Sequence, residues 1–273
     1  MTAIAVTIAG TDPTGGAGIQ ADLKTFSALE VYGATVITGL VAQTTTGVQG
    51  VHDVPPDFVR KQMDSVLDDL SVDAVKIGML SVPETILAVA EGLDAHRVSP
   101  IVLDPVMVAQ SGDALLRPEA VAVLRDVLVP QATIITPNLP EAARLLDEDM
   151  AETEDAMRAQ GERLLKLGPK AVLMKGGHGT GAESVDLLVT GAGVVRLSAH
   201  RIATRNTHGT GCTLSSAIAA GLARGMSLEN AVRMAKDYLT AALGAADTLS
   251  IGQGARPVHH FHALWQSSKG AQS

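Results

Sequence analysis

The segment Asn206-Thr207-His208-Gly209-Thr210-Gly211-Cys212-Thr213 is a glycine-punctuated turn that runs into a small-residue stretch over residues 214–223. Such a turn exposes backbone N–H groups at a helix start, where unpaired donors and the helix dipole both favour an anion. We read it as a phosphate cradle. Asp104 and the pair Asn138/Glu141 supply hard oxygen atoms, and magnesium takes a few carboxylates together with water and phosphate oxygens. Their scatter along the chain suits Mg–ATP better than a closed metal cage. Taken alone, Asn138 and Glu141 are better explained as helix caps. Lys175 ends an apolar run before Gly176-Gly177-His178; it either clamps transferring phosphate oxygens or snorkels at a sheet margin. Cys212 stands where a helix N-terminus lowers a thiol pKa, although a lone cysteine is more often a small buried hydrophobe. His259, His260 and His262 have no cysteine or carboxylate near them in sequence, so a packed or solvated terminal segment is favoured over a metal site.

These residues need rigid elements to hold them. The run Ala3–Ala9 stops at Gly10 and predicts a strand buried on both faces; a Gly/Pro-rich loop to Gly18 and a helix from Ile19 to Val31 follow. Strands are expected at 34–42, 74–77, 101–104, 133–136 and 171–175. Helices are expected at 56–70 with Phe58, Val59, Met63, Val66, Leu67 and Leu70 on one face, and at 83–95, 118–128, 140–146, 153–167, 209–223 and 228–246. Residues 43–54 suit a small flap, and 186–198 a hairpin turning at 191–193. Repeated strand–helix alternation with right-handed crossovers gives a mostly parallel sheet covered by helices on both faces. Ligands of such sheets sit beyond the carboxyl ends of the strands. Gly10, Met79, Asp104, Asn138 and Lys175 all fall at or just after such an end.

Composition narrows the partners. Aromatics make up 2% of the 273 residues and the net charge is −8, against both nucleic acid and an anionic membrane surface. Cys212 is the only cysteine, which points to a reducing, cytoplasmic home. The uncharged run 31–52 is too rich in Thr, Gln and Gly for a lipid-facing helix. Gly16-Ala17-Gly18-Ile19-Gln20-Ala21 satisfies a dinucleotide-loop pattern, yet Thr35, Val36 and Ile37 stand where the ribose-binding acid belongs. Gly10 to Gly15 has Walker spacing, but Gly16 replaces the lysine.

Together the motifs are specific. The opening 9–25, Gln43-Thr44-Thr45, Lys76-Ile77-Gly78-Met79-Leu80, Leu103-Asp104-Pro105-Val106-Met107, residues 136–142, Met174-Lys175-Gly176-Gly177-His178 and 206–212 resemble the bacterial hydroxymethylpyrimidine/phosphomethylpyrimidine kinases of thiamine biosynthesis, in the ribokinase-like superfamily. The resemblance extends to 257–262 and covers nearly the whole chain. It implies a single α/β, ribokinase-like domain over residues 1–266, with 267–273 a disordered tail, and a homodimer. It also implies ATP-dependent phosphorylation of 4-amino-5-hydroxymethyl-2-methylpyrimidine and then of its monophosphate. By resemblance, Asp22, Gln43 and Met79 surround the aminopyrimidine, with Gly10, Val106 and Cys212 near its hydroxymethyl end. Asp104, Asn138 and Glu141 organise Mg–ATP, directly or through water, Lys175 meets its phosphates, and Thr207, His208, Gly209, Thr210 and Gly211 form the anion hole. Sugar kinases of the same fold carry an aspartate base where this chain has Cys212, which leaves the base open. The alternatives are a pyridoxine or pyridoxal kinase and a non-catalytic pyrimidine or vitamin sensor.

Overall fold

The computed structural model describes residues 1–109, 112–113, 115–177 and 181–265; the expected tail 267–273 and His178 lie outside them. The chain alternates strand and helix: β1 (Ile4–Ala9), α1 (Gly18–Ala28), β2 (Tyr32–Ile37), β3 (Gly39–Thr44), β4 (Gly47–Asp53), α2 (Pro56–Asp69), β5 (Ala74–Ile77), α3 (Pro83–His96), β6 (Ile101–Leu103), α4 (Pro118–Val123), β7 (Ile134–Ile135), α5 (Leu139–Leu146), α6 (Glu154–Leu165), β8 (Ala171–Lys175), β9 (Glu183–Thr190), β10 (Gly193–His200), α7 (Thr210–Ala223) and α8 (Leu228–Gly244). The main sheet runs β10-β9-β8-β7-β6-β5-β1-β2. It is parallel from β2 to β8, and β9 and β10 close it as an antiparallel edge. The pair β3–β4 forms a separate two-stranded flap.

The two-residue period of the strands sends alternate side chains to two cores. Val6, Ile8, Val75, Ile77, Ile101 and Leu103 pack with Met63, Ile86, Leu128 and Leu145 on one face. Ala5, Ala74, Val102, Ala171 and Leu173 meet Phe26, Leu214, Ile218 and Val232 on the other. The second core admits α7 closely because Ala217, Ile218, Ala219 and Ala220 are fully buried and mostly small. A Cβ on Gly221 would stand 2.8 Å from Ala231 of α8, so glycine permits that close helix–helix approach.

Several boundaries differ from expectation. Helix α1 stops at Ala28, because Glu30 turns into the left-handed region at φ 61 and redirects the chain into β2. The expected strand 34–42 divides at Thr38, whose hydroxyl donates to the Met79 carbonyl and whose N–H donates to Ala9. That break sends the chain out of the sheet and into the flap. The 118–128 helix changes after Val123 into a wider π turn, Leu124–Leu128. Only Val59 and Met63 of the α2 stripe are fully buried, and Phe58 is 53% exposed.

One buried ion pair ties α8 to the antiparallel edge. Lys236 Nζ lies 2.7 Å from Asp186 Oδ2, with side chains 10% and 6% exposed. The other Asp186 oxygen accepts the Gly176 N–H at 2.9 Å, fixing the backbone just after Lys175. Removing one member of such a pair leaves an uncompensated buried charge. Lys236→Met is therefore expected to lower the unfolding free energy by about 3 kcal/mol, measured by urea denaturation; a loss below about 1 kcal/mol would mean that solvent already screens the pair.

Candidate active site

Five strand ends, the loop after β1 and the start of α7 converge at one edge of the sheet. Asp104 follows β6 and is 1% exposed. Its Oδ1 accepts from the Thr136 hydroxyl at 3.0 Å and from Lys175 Nζ at 2.9 Å, and Ser215 Oγ of α7 lies 3.4 Å from Oδ2. Burial pushes this carboxyl up, but the Lys175 and Lys76 ammoniums outweigh it and hold the group below its ordinary value. Lys175 Nζ also lies 3.9 Å from Glu141 Oε2. Burial pushes the lysine down, and Asp104 with Glu141 more than restores it, so it stays protonated.

Asn138 and Glu141 form a complete capping box: Asn138 Oδ1 accepts the Glu141 N–H and Glu141 Oε2 accepts the Asn138 N–H, both at 2.8 Å. The capping role and a place in the charged cluster coexist in Glu141. Burial pushes its carboxyl up to about 7, with Lys175 lowering and Asp104 raising it. Asp104 and Glu141 thus offer two hard carboxylates within 4 Å of one ammonium. That donor set fits a magnesium ion sharing its other positions with water and phosphate oxygens, and does not fit a closed cage. Among the described residues no group of three His, Cys, Asp or Glu could hold a metal, the terminal histidines included.

The turn before α7 is held by close backbone packing. Gly209 has φ 79, and a Cβ there would collide with the Gly16 carbonyl. A Cβ on Gly211 would crowd Asp104 Oδ2 at 3.2 Å and Lys175 Nζ at 3.4 Å. The Thr210 N–H donates to the Thr207 carbonyl, while the N–H groups of Gly211 and Cys212, in the first turn of α7, have no intrahelical partner. His208 Nε2 is 2.8 Å from Asp12 Oδ2. Asp12 also accepts the N–H groups of Thr14, Gly16 and Ala17, so one carboxylate organises the loop after β1 and bolts it to the anion turn. Burial raises Asp12, but the hydrogen bonds from His208 and Thr14 hold it well below the carboxylate range.

The surroundings of Met79 are apolar and close-packed. Met79 is 8% exposed, and a Cβ on Gly39 would reach its Cε at 3.3 Å, so the glycine brings the flap close to β5. Gly10 also faces this methionine, and the Val106 N–H donates to the Asp104 carbonyl. Gln43, next to a bulge in β3, lines a cavity of about 290 Å³ with residues 44–47, Ala109, His208, Gly254 and Ala255. Asp22 does not line that cavity and is fully buried. Its oxygens take Lys76 Nζ at 2.8 and 2.9 Å, Thr7 Oγ1 at 2.6 Å and Ser216 Oγ at 2.6 Å.

Sequence reasoning assigned no role to Lys76 or Asp12, and read His260 only as part of a packed or solvated terminal segment. Lys76 is fully buried in an apolar strand, and a cation there requires a counter-charge; that was its available signal. Nothing in the chain paired Asp12 with a histidine 196 residues away. His260, 4% exposed, has Nε2 3.1 Å from Thr213 Oγ1 beneath the anion turn. Burial drives its pKa down to about 3, so it is neutral there.

Comparison with known proteins decides the family. The family model described as phosphomethylpyrimidine kinase matches residues 12–259. The chain belongs to the phosphomethylpyrimidine kinase family. A hydroxymethylpyrimidine/phosphomethylpyrimidine kinase of Salmonella typhimurium is 59% identical over 261 residues, 96% of this chain and 98% of that protein. The crystal structure of phosphomethylpyrimidine kinase from Clostridium difficile superposes with a TM-score of 0.78 at 46% identity, covering 88% of this chain and 99% of that one. An ADP complex of Bacillus subtilis pyridoxal kinase superposes with a TM-score of 0.90 at 37% identity, covering 97% and 100%. The family's ribokinase-like architecture is therefore that of this chain.

Of the two readings of Cys212, a reactive thiolate or a small buried hydrophobe, burial favours the second. Burial pushes the thiol up to about 11; Lys76 pulls it down, while Asp22 and Asp104 push it up further. The thiolate fraction therefore keeps growing with pH until well above 9. The rate of iodoacetamide alkylation at Cys212 is expected to rise about tenfold per pH unit from 7 to 9.5 without levelling. A plateau near pH 7, followed by mass spectrometry, would identify a thiolate instead.

Proposed function

We propose that this kinase transfers phosphate from ATP to the hydroxymethyl group of 4-amino-5-hydroxymethyl-2-methylpyrimidine and then to the resulting monophosphate, giving the diphosphate used in thiamine biosynthesis. The observation that carries the reading is the Lys175–Asp104 pair set against the glycine turn of α7. A fixed ammonium and free helix N-terminal donors together stabilise charge on a moving phosphoryl group. Residues 1–266 act as one domain and work in the cytoplasm; no helix among the described residues is long and apolar enough to cross a membrane.

In this reading Thr207, His208, Gly209, Thr210 and Gly211 form the anion hole, and Lys175 meets the donor's phosphates. Asp104 and Glu141 hold Mg²⁺, directly or through water, and Asn138 keeps Glu141 in place. The ion supplies charge neutralisation on the phosphate oxygens. Gln43, Met79, Gly10 and Val106 surround the acceptor near Cys212. Asp22, fully buried with Lys76, Thr7 and Ser216 on its oxygens, supports the site through those contacts. Exposed apolar side chains near the flap, Leu40 at 49% and Phe58 at 53%, support a homodimer.

Pyridoxal kinase is the second reading, favoured by the close superposition on the Bacillus subtilis enzyme. ADP release with hydroxymethylpyrimidine, its phosphate and pyridoxal separates the two. The pyrimidines are expected to give the higher kcat/KM, and a preference for pyridoxal would reverse the assignment. Binding of a pyrimidine without ADP formation would make the chain a sensor.

The two acceptors also test the thiol. Only the alcohol carries a proton that must leave the nucleophile; the monophosphate already presents an anionic oxygen. Because burial keeps the thiol neutral, Cys212→Ala is expected to slow the two steps to a similar extent in single-turnover measurements. A loss confined to the alcohol step would give Cys212 a proton-handling role.

A further inference from the structure

The flap that carries Gln43 and the turn that carries His208 are far apart in sequence, yet one C-terminal segment touches both. At its start, Thr45 Oγ1 accepts the N–H groups of Gln253 and Gly254, each at 3.1 Å. The approach is backbone on backbone: a Cβ on Gly254 would collide with the Thr45 carbonyl, and Gly252, at φ 63, packs against the Thr45 side chain. At its end, the His208 N–H donates to the Arg256 carbonyl at 3.2 Å and Asn206 Oδ1 accepts the Arg256 N–H at 3.2 Å. Pro257 bridges to His208 as a short parallel pair. Gly254 and Ala255 also wall the cavity that Gln43 and His208 line.

A two-stranded flap outside the main sheet is marginally stable by itself, so neighbours must set its position. Its base is anchored: the Thr11 N–H donates to the Gly39 carbonyl and the Val41 N–H to Thr11 Oγ1. Near the tip the strap at Thr45 is joined by Asp113, which accepts the Val48 N–H at 3.2 Å. Thr45 lies two residues from Gln43. We propose that residues 252–257 form a strap that fixes the flap at a set height over the acceptor pocket, with Thr45 and Gly254 as the positioning residues for Gln43. The strap ties the acceptor's recognition group to the turn that receives the phosphoryl group, so both acceptors present their nucleophile at one distance from it. The inference rests on Gln43 reading the pyrimidine ring.

The test compares Thr45→Val, which keeps the shape but loses the acceptor oxygen, Thr45→Ser, which keeps the oxygen, and Gln43→Ala, in the full chain with ATP. Loss of two partly exposed hydrogen bonds corresponds to about a 5- to 10-fold change. Thr45→Val is expected to raise KM for hydroxymethylpyrimidine and for its phosphate by about that factor, with KM for ATP and the melting temperature held near wild type. Thr45→Ser is expected to restore both KM values, and amide exchange over residues 46–50 is expected to quicken in Thr45→Val alone. Unchanged flap exchange in Thr45→Val would overturn the strap. Faster exchange with unchanged pyrimidine KM would overturn its coupling to the acceptor, as would a parallel rise in KM for ATP. Gln43→Ala tests the ring reading separately: if it leaves pyrimidine KM unchanged while Thr45→Val raises it, Gln43 is not the recognition group and the strap positions another flap residue.

Discussion

The whole site depends on how closely the start of α7 approaches the strand ends. Helix dipoles and free N–H groups act within about one helical turn, so an anion site works only if nothing holds the helix away from the charged side chains it serves. Gly209 lies against the Gly16 carbonyl, and Gly211 faces the Asp104–Lys175 pair at distances that a methyl group would crowd. The small buried residues behind them, Ala217 to Ala220 with Gly221 against Ala231, let the rest of α7 settle between the sheet and α8. Substitution anywhere along this line moves the donors before it changes any chemistry.

The same approach explains the buried charges. An ammonium and a carboxylate buried on one face of an apolar sheet are costly unless each meets an opposite charge with good geometry. Lys76 and Asp22 do so at 2.8 Å with both side chains fully buried, and Thr7 and Ser216 complete the carboxylate's hydrogen bonds. Thr7 and Lys76 are register partners on β1 and β5, so the pair crosses two strands and reaches both α1 and α7. It acts as a rivet joining β1 and β5 to α1 and α7. The Asp12–His208 contact does the same for the two loops above it.

Much of this was legible in the sequence where chemistry and periodicity point the same way. Gly10, Met79, Asp104 and Lys175 could be placed at strand ends because short, mostly apolar runs stop at or just before them, and the β9–β10 hairpin could be placed from its glycine turn. What was not legible depended on long-range partners. Asp22 was assigned to the acceptor's surroundings by resemblance alone, and nothing local in the sequence signals that its carboxylate pairs with a lysine 54 residues later. The break at Thr38 is likewise set by Met79 and Ala9, not by local propensity, so the strand and the flap read as one segment. The thiol at Cys212 was left between two readings for a related reason: the helix N-terminus was visible, and the burial and the two carboxylates that favour the neutral form were not.

The neutral thiol bears on how one pocket can serve two acceptors. A permanent thiolate beside the acceptor would suit an alcohol that must lose a proton, but it would oppose an acceptor that arrives as an anion. Two unit charges about 4 Å apart repel by roughly 1 kcal/mol in water and about 4 kcal/mol near a protein surface. The cluster beneath Cys212 sets Lys76 against Asp22 and Asp104, and burial decides the balance in favour of the neutral thiol. A neutral thiol can donate a hydrogen bond to a phosphate oxygen as readily as it can accept one from a hydroxyl. Phosphoryl transfer through a loose transition state places little demand on a strong base. The buried charges under the pocket therefore favour tolerance of acceptor charge over activation of one acceptor, which is the property that two successive phosphorylations at one site require.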